Sequence, residues 1–276
     1  MRRPVLAAAL ALLLASCGTA ARRAEGPDMA RTAGWRWEIV PSGAFDVAAA
    51  VSPRPGGRIL VIYLEGDGFA YVRARQPAQD PTPTDPVALR MALVDPSGAA
   101  AAWVARPCQY TLADRGRNCR TEFWTTARYA PEIVHSVSGV IDVLKRQSGA
   151  QDLVLVGYSG GGAVAALVAA RRTDVVRVVS VAANLDLAYW TRRDGLTPLS
   201  GSLDPAREGV RLAAMPQIHF TGARDDTVGT DVAQSYLSTL PPGTPAQLVE
   251  VPGFTHACCW ARDWPTLATD ALRTAR

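Results

Sequence analysis

The sequence predicts an α/β fold: a mostly parallel central sheet with helices on both faces. Three observations predict it. Continuous apolar runs at 58–64 and 152–156 have the length and composition of strands buried on both faces. A helix-period segment at 131–146 lies between them, with Ile133, Val134, Val137, Val140, Ile141 and Leu144 on one stripe. Strands and helices then alternate to the C-terminus, the pattern of parallel units whose connecting helices cover the sheet. The composition supports such a core. The chain has 276 residues, 48% hydrophobic and 20% charged, which excludes disorder for most of its length.

The elements follow in order. Arg2 and Arg3 form a positive n-region, and 5–15 is an apolar stretch of signal-peptide length. It ends in Leu14-Ala15-Ser16-Cys17, an aliphatic residue and two small ones before a cysteine. This resembles the lipobox of bacterial lipoproteins; an ordinary secretory signal with an incidental Cys is the alternative. The resemblance implies a lipoprotein signal peptide at 1–16, with Cys17 as the lipidation site. Residues 17–34 lack apolar periodicity and read as a flexible, lipid-anchored tether, and 35–276 reads as one domain. Two or three acyl chains suffice for stable membrane anchoring. Gly18, not a retention-type Asp, follows the cysteine. The expected location is therefore the bacterial cell envelope, on the periplasmic side of the outer membrane. No apolar run reaches the roughly 18 residues of a spanning helix. Net charge is +4, and removal of Arg2 and Arg3 takes it to +2. No dense Lys/Arg run is present, so no nucleic-acid partner is expected.

Within the domain, 35–40 and 45–51 read as strands joined at Ser42-Gly43. The strand at 58–64 stops at Glu65-Gly66-Asp67-Gly68. Residues 69–107 form a Pro-rich insert. Pro131 suits the first turn of the helix that follows it. Strand 152–156 runs into Gly157 and an Ala/Val-rich helix. Further strands are expected at 175–181, 217–221 and 247–251, and helices at 230–240 and from Trp264 to the end. Residues 184–215 are too few for a full cap domain. A short flap carrying Tyr189, Trp190 and Leu196 is expected there, so the cap is small or absent.

The strongest chemical signal is Gly157-Tyr158-Ser159-Gly160-Gly161. It fits G-x-S-x-G between a buried strand and a helix, where small residues permit the sharp turn that exposes the Ser. A Gly-rich strand–helix turn with an incidental Ser is the bland alternative. A nucleophilic Ser needs a base, and there are three histidines. His135 sits on a polar helix side and His219 inside a strand. His256 lies in Gly253-Phe254-Thr255-His256, past a strand end, where α/β sites gather. The loop after 217–221 offers two adjacent acids, Asp225 and Asp226, to orient that base.

The order Ser159, then Asp225 or Asp226, then His256 resembles the α/β-hydrolase fold. The likeness spans 58–276 through GYSGG, Gly222-x-x-Asp225-x-x-Val228 and Gly253-x-x-His256. It implies a serine hydrolase with Ser159 as nucleophile, His256 as base and Asp225 as acid, leaving Asp226 in solvent. It also implies an oxyanion hole from the Gly160 N–H and, by position, the Asp67 N–H. The family commonly has His-Gly-x in that second loop; here Glu65 replaces the His. Carboxylates at 65 and 67 would oppose a developing oxyanion unless turned away or paired. Arg73, Arg75, Arg106 and Arg128 are the candidate partners.

Cys108, Cys119, Cys258 and Cys259 are an even set in an exported domain, which permits disulfides in three connectivities. Local closure of 108–119 has the lower entropic cost. No metal-ligand spacing is present, so neither a metal nor a cofactor is expected. The expected partner is a small or medium acyl substrate, cleaved as a carboxylic ester, thioester or amide through an acyl-enzyme. The alternative is a catalytically idle lipoprotein of the same fold that serves as a binding module.

Overall fold

The computed structural model describes residues 3–112 and 116–273. An eight-stranded sheet organises the chain, in the order β1-β2-β6-β3-β7-β8-β9-β10. Its strands are β1 (Arg36–Ser42), β2 (Phe45–Val51), β3 (Ile59–Leu64), β6 (Ala100–Val104), β7 (Asp152–Tyr158), β8 (Val175–Val181), β9 (Gln217–Gly222) and β10 (Ala246–Val251). A small separate hairpin pairs β4 (Tyr71–Arg73) with β5 (Gln76–Pro77). β1, β2 and β6 pair antiparallel; from β6 to β10 every pairing is parallel. The expected mostly parallel sheet is therefore present.

The helices are α1 (Arg3–Thr32), α2 (Val87–Leu93), α3 (Pro131–Ser148), α4 (Gly160–Ala169), α5 (Leu187–Arg193), α6 (Thr230–Ser238) and α7 (Trp260–Ala271). Side chains alternate across the sheet as strand geometry requires. Leu60, Ile62, Leu64, Leu153 and Leu155 join α3 and α4 in one core. Val61, Tyr63, Val154 and Val156 join α2 and α7 in the other. In α3 the six residues of the predicted stripe are all buried, with Pro131 in the first turn and Gly149 in the left-handed conformation at its end. α4 is buried on every side, which its Gly, Ala and Val residues permit.

The chain runs from β3 outward to β6, then returns to β7 on the other side of β3. That reversal makes the carboxyl ends of β3 and β7 a topological switch point, the place where α/β proteins bind ligands. Leu64 pairs with Gly157 there, so the loop after β3 meets the turn after β7.

Three sequence readings need correction. Residues 17–34 are not a structureless tether: α1 runs to Thr32 and its last turns dock on the domain. Ala30 is fully buried, Arg23 pairs with Asp80 at 2.6 Å, and the Arg22 guanidinium lies 4.7 Å over the Phe69 ring. Strong helix formers and these scattered contacts hold the segment without an apolar stripe. Met1, Arg2 and the side chains of residues 3–17, Cys17 included, lie outside the described residues. The insert at 69–107 holds α2 and the central strand β6, whose Ala-Ala-Ala-Trp-Val sequence gives little strand signal. Burial on both faces, not intrinsic preference, makes it a strand. Finally, α7 starts at Trp260, one turn before the expected Trp264.

Candidate active site

Ser159 sits at the turn between β7 and α4 with φ 50° and ψ −125°, a conformation costly for any L-residue. The turn holds because Gly157 and Gly161, two residues to either side, have no side chains. A methyl at Gly157 would strike the Gly161 carbonyl, and one at Gly161 the Leu64 carbonyl. The Ser159 N–H donates to the Val181 carbonyl at 2.8 Å, which fixes the turn to β8.

His256 comes from the loop after β10. Its Nε2 lies 3.0 Å from Ser159 Oγ and its Nδ1 2.9 Å from Asp225 Oδ2. The loop is pinned from behind: Tyr158 Oη and Trp260 Nε1 both donate to the His256 carbonyl. Asp225 Oδ1 accepts the N–H groups of Thr227 and Val228. The Asp225 side chain is 1% exposed. Burial pushes its carboxyl up, but the His256 bond and those two N–H groups outweigh burial and hold it below the usual range. Asp226 is exposed beside it and does not reach the imidazole. Of the other histidines, His135 is exposed on α3. His219 is fully buried in β9 with Nδ1 2.8 Å from Ser180 Oγ, and burial takes its pKa down to about 3.

The loop after β3 answers the question of two acids beside an oxyanion site. Glu65 faces away from Ser159. Its carboxylate accepts the N–H groups of Gly66, Ala88 and Leu89 and the indole N–H of Trp103. Burial raises its pKa to about 7 against the pull of those four donors. It ties the loop to the first turn of α2. Asp67 is paired instead: Oδ1 to Arg106 at 2.8 Å, Oδ2 to Arg128 at 2.7 Å and to Tyr129 Oη at 2.8 Å. Burial pushes the Asp67 carboxyl up, and the two guanidinium groups more than reverse it. Among the described residues no acceptor takes the Gly160 or Asp67 N–H, whereas Gly66 spends its own on Glu65. Of the four candidate arginines the structure uses Arg106 and Arg128. The sequence reading missed Tyr129, and also Asn184, buried after β8 with Oδ1 3.5 Å from Ser159 Oγ. Neither carries a motif; only chain folding brings them in.

Glu65→Gln is expected to destabilise the protein by about 2–4 kcal/mol. One end of a Gln would present NH2 to two buried N–H donors, leaving them unsatisfied. Thermal denaturation checks this; a Tm within 2 °C of wild type, roughly a 1 kcal/mol change or less, would count against the brace.

The disulfides are Cys108–Cys119 and the neighbouring Cys258–Cys259. The first matches the favoured local closure, and its loop reaches the site: Gln109 Nε2 donates to the Gly66 carbonyl at 3.0 Å. The second lies two residues past His256. The 184–215 segment forms no large cap. Its helix α5 abuts the acid loop, with Trp190 Nε1 donating to the Thr227 carbonyl. No group of side chains fit to hold a metal occurs among the described residues.

No family model matches this chain, and no curated protein matches it. Solved structures do. An α/β serine hydrolase homologue from Coxiella burnetii superposes with a TM-score of 0.59 at 15% identity, covering 86% of this chain and 97% of that one. An esterase from Pyrococcus furiosus gives 0.60 at 12%, covering 88% and 91%. A membrane phospholipase A described as a bacterial virulence factor gives 0.61 at 15%, covering 100% of both. At these identities the likeness shows the fold: this chain has the α/β-hydrolase fold.

Proposed function

We propose that this protein is a serine hydrolase that cleaves a carboxylic ester, or a related thioester or amide, through an acyl-enzyme. One observation carries the reading: a continuous hydrogen-bonded line from Ser159 through His256 to Asp225, at 3.0 and 2.9 Å. Those three residue types in that contact form the apparatus for activating a hydroxyl. Ser159 Oγ attacks the carbonyl while His256 Nε2 takes its proton, and Asp225 holds the imidazole with Nδ1–H inward. The Gly160 and Asp67 N–H groups receive the oxyanion. His256 then returns the proton to the leaving group. Water repeats the sequence against the acyl-enzyme and regenerates Ser159.

A fluorophosphonate probe tests this and separates it from an idle binding module. Wild-type protein becomes labelled, and peptide mapping puts the adduct on Ser159. An unlabelled folded protein would overturn the reading.

Cys17 is the proposed lipid anchor in the bacterial envelope. Arg22, five residues on, covers Phe69 of the loop after β3, so the anchor would hold the site close to the membrane surface. Cys17→Ser is expected to remove acyl label and move the protein to the soluble fraction. Equal membrane retention of the variant would sink the anchor.

A further inference from the structure

A cavity of about 680 Å³ lies beside the candidate site and has a distinct chemical character. Arg75 and Arg128 line it, no acid does, and the rest of its wall is aromatic, aliphatic or small, with Tyr71, Trp190, Leu196 and Leu199 the largest. Two links place it against Ser159. Arg128 bonds Asp67, and a methyl at Gly160 would overlap Asp67 Oδ1, so the Arg128 head lies one carboxylate away from the residue after the nucleophile. On the opposite wall, Trp190 donates to Thr227 in the loop that carries Asp225.

The charges do not cancel. Arg106 and Arg128 share the single carboxylate of Asp67, which leaves one positive charge in excess at a nearly buried site. Arg75 adds another. Among the described residues it makes no ion pair and no hydrogen bond. It occupies the two-residue turn between β4 and β5 at φ 65°, a position that glycine fills at lower strain. The hairpin therefore presents a free guanidinium over an apolar cavity beside the acyl-transfer site. A guanidinium prefers an oxyanion, carboxylate or phosphate, that it can bind through two N–H groups.

We propose that this cavity selects an anionic ester: a short apolar chain fills it and a carboxylate or phosphate on that chain pairs with Arg75. This rests on the hydrolase reading above and names its substrate class. Arg75 acts as a specificity residue, pairing with a part of the substrate away from the scissile bond.

The test compares 4-nitrophenyl hydrogen glutarate with 4-nitrophenyl butyrate, two esters of similar chain length that differ in the terminal charge. Wild type is expected to favour the anionic ester in kcat/KM. Arg75→Gln should lower the anionic-to-neutral ratio about tenfold, mainly through KM, and Arg75→Lys should retain much of it. A ratio unchanged in Arg75→Gln, or a wild-type preference for the neutral ester, overturns the inference. A second measurement does not need turnover: saturation-transfer NMR of mono-methyl glutarate and of 2-acetoxyethyl phosphate with Ser159→Ala. A signal from either ligand that Arg75→Gln abolishes supports the inference, and which one responds identifies carboxylate or phosphate. No signal from both overturns it. Loss of hydrolysis of both esters with binding intact would remove the hydrolase reading alone. Hydrolysis of the butyrate without Arg75-dependent binding would remove this inference alone.

Discussion

Ser159→Ala is expected to lower kcat/KM for a 4-nitrophenyl ester by on the order of a hundred-thousandfold, with the fold unchanged. Only Oγ is lost, and the small side chain that replaces it suits the same crowded turn. His256 keeps its bond to Asp225, and the Gly160 and Asp67 N–H groups keep their positions. What remains is binding and oxyanion stabilisation, which act without an attacking atom on the enzyme. Steady-state kinetics on purified variant, with circular dichroism as the control for folding, checks the result. Residual activity within tenfold of wild type would remove Ser159 from the nucleophile's role.

The next largest effect is expected at the acid. Asp225→Asn should cost about ten-thousandfold in kcat, while Asp226→Asn should stay within about threefold. The contrast follows from where the two carboxylates point. In the Asp225→Asn variant the new amide could keep its carbonyl on the Thr227 and Val228 N–H groups, but its NH2 would then face His256 Nδ1. The imidazole would answer with the tautomer that carries its proton on Nε2, and Nε2 could no longer accept from Ser159. Asp226 is exposed and touches only the Thr227 hydroxyl, at 3.5 Å. Because the Asp225 carboxyl is held below the ordinary range, it stays ionised through any assay from mildly acidic to alkaline pH. The measured loss therefore reports the missing carboxylate, through both the tautomer and the stabilisation of the imidazolium, at any pH in that range. Similar losses in both variants, or a larger one at Asp226, would reassign the acid.

Local pattern was enough for the elements whose burial repeats in sequence. The stripe on α3, the two-sided runs of β3 and β7 and the glycines around Ser159 each encode their own environment, because helix and strand periods convert burial directly into spacing. The order Ser159, Asp225, His256 was legible for a related reason. Each residue ends a strand or follows one, and parallel strands bring their carboxyl ends to one edge. The loop's spacing alone left Asp225 and Asp226 open, and the resemblance to the α/β-hydrolase pattern at Gly222, Asp225 and Val228 favoured Asp225.

Other features depend on groups that meet only in three dimensions. β6 is a strand because β2 and β3 flank it, not because alanines favour extension. The final turns of α1 hold through scattered contacts with Phe69 and Asp80 that no stripe announces. Glu65 and Asp67, two residues apart, go to opposite fates: one is tied to the N–H groups of α2 and to Trp103, the other to Arg106, Arg128 and Tyr129. Periodicity and strand ends are local facts, so sequence alone pointed to the fold class and to Ser159 and His256, while Asp225 over Asp226 came with the family resemblance. Only the tertiary structure decided which arginines neutralise Asp67 and which one stays free over the cavity. The energy of a charge depends on its distance from other charges and from water, and chain distance fixes neither.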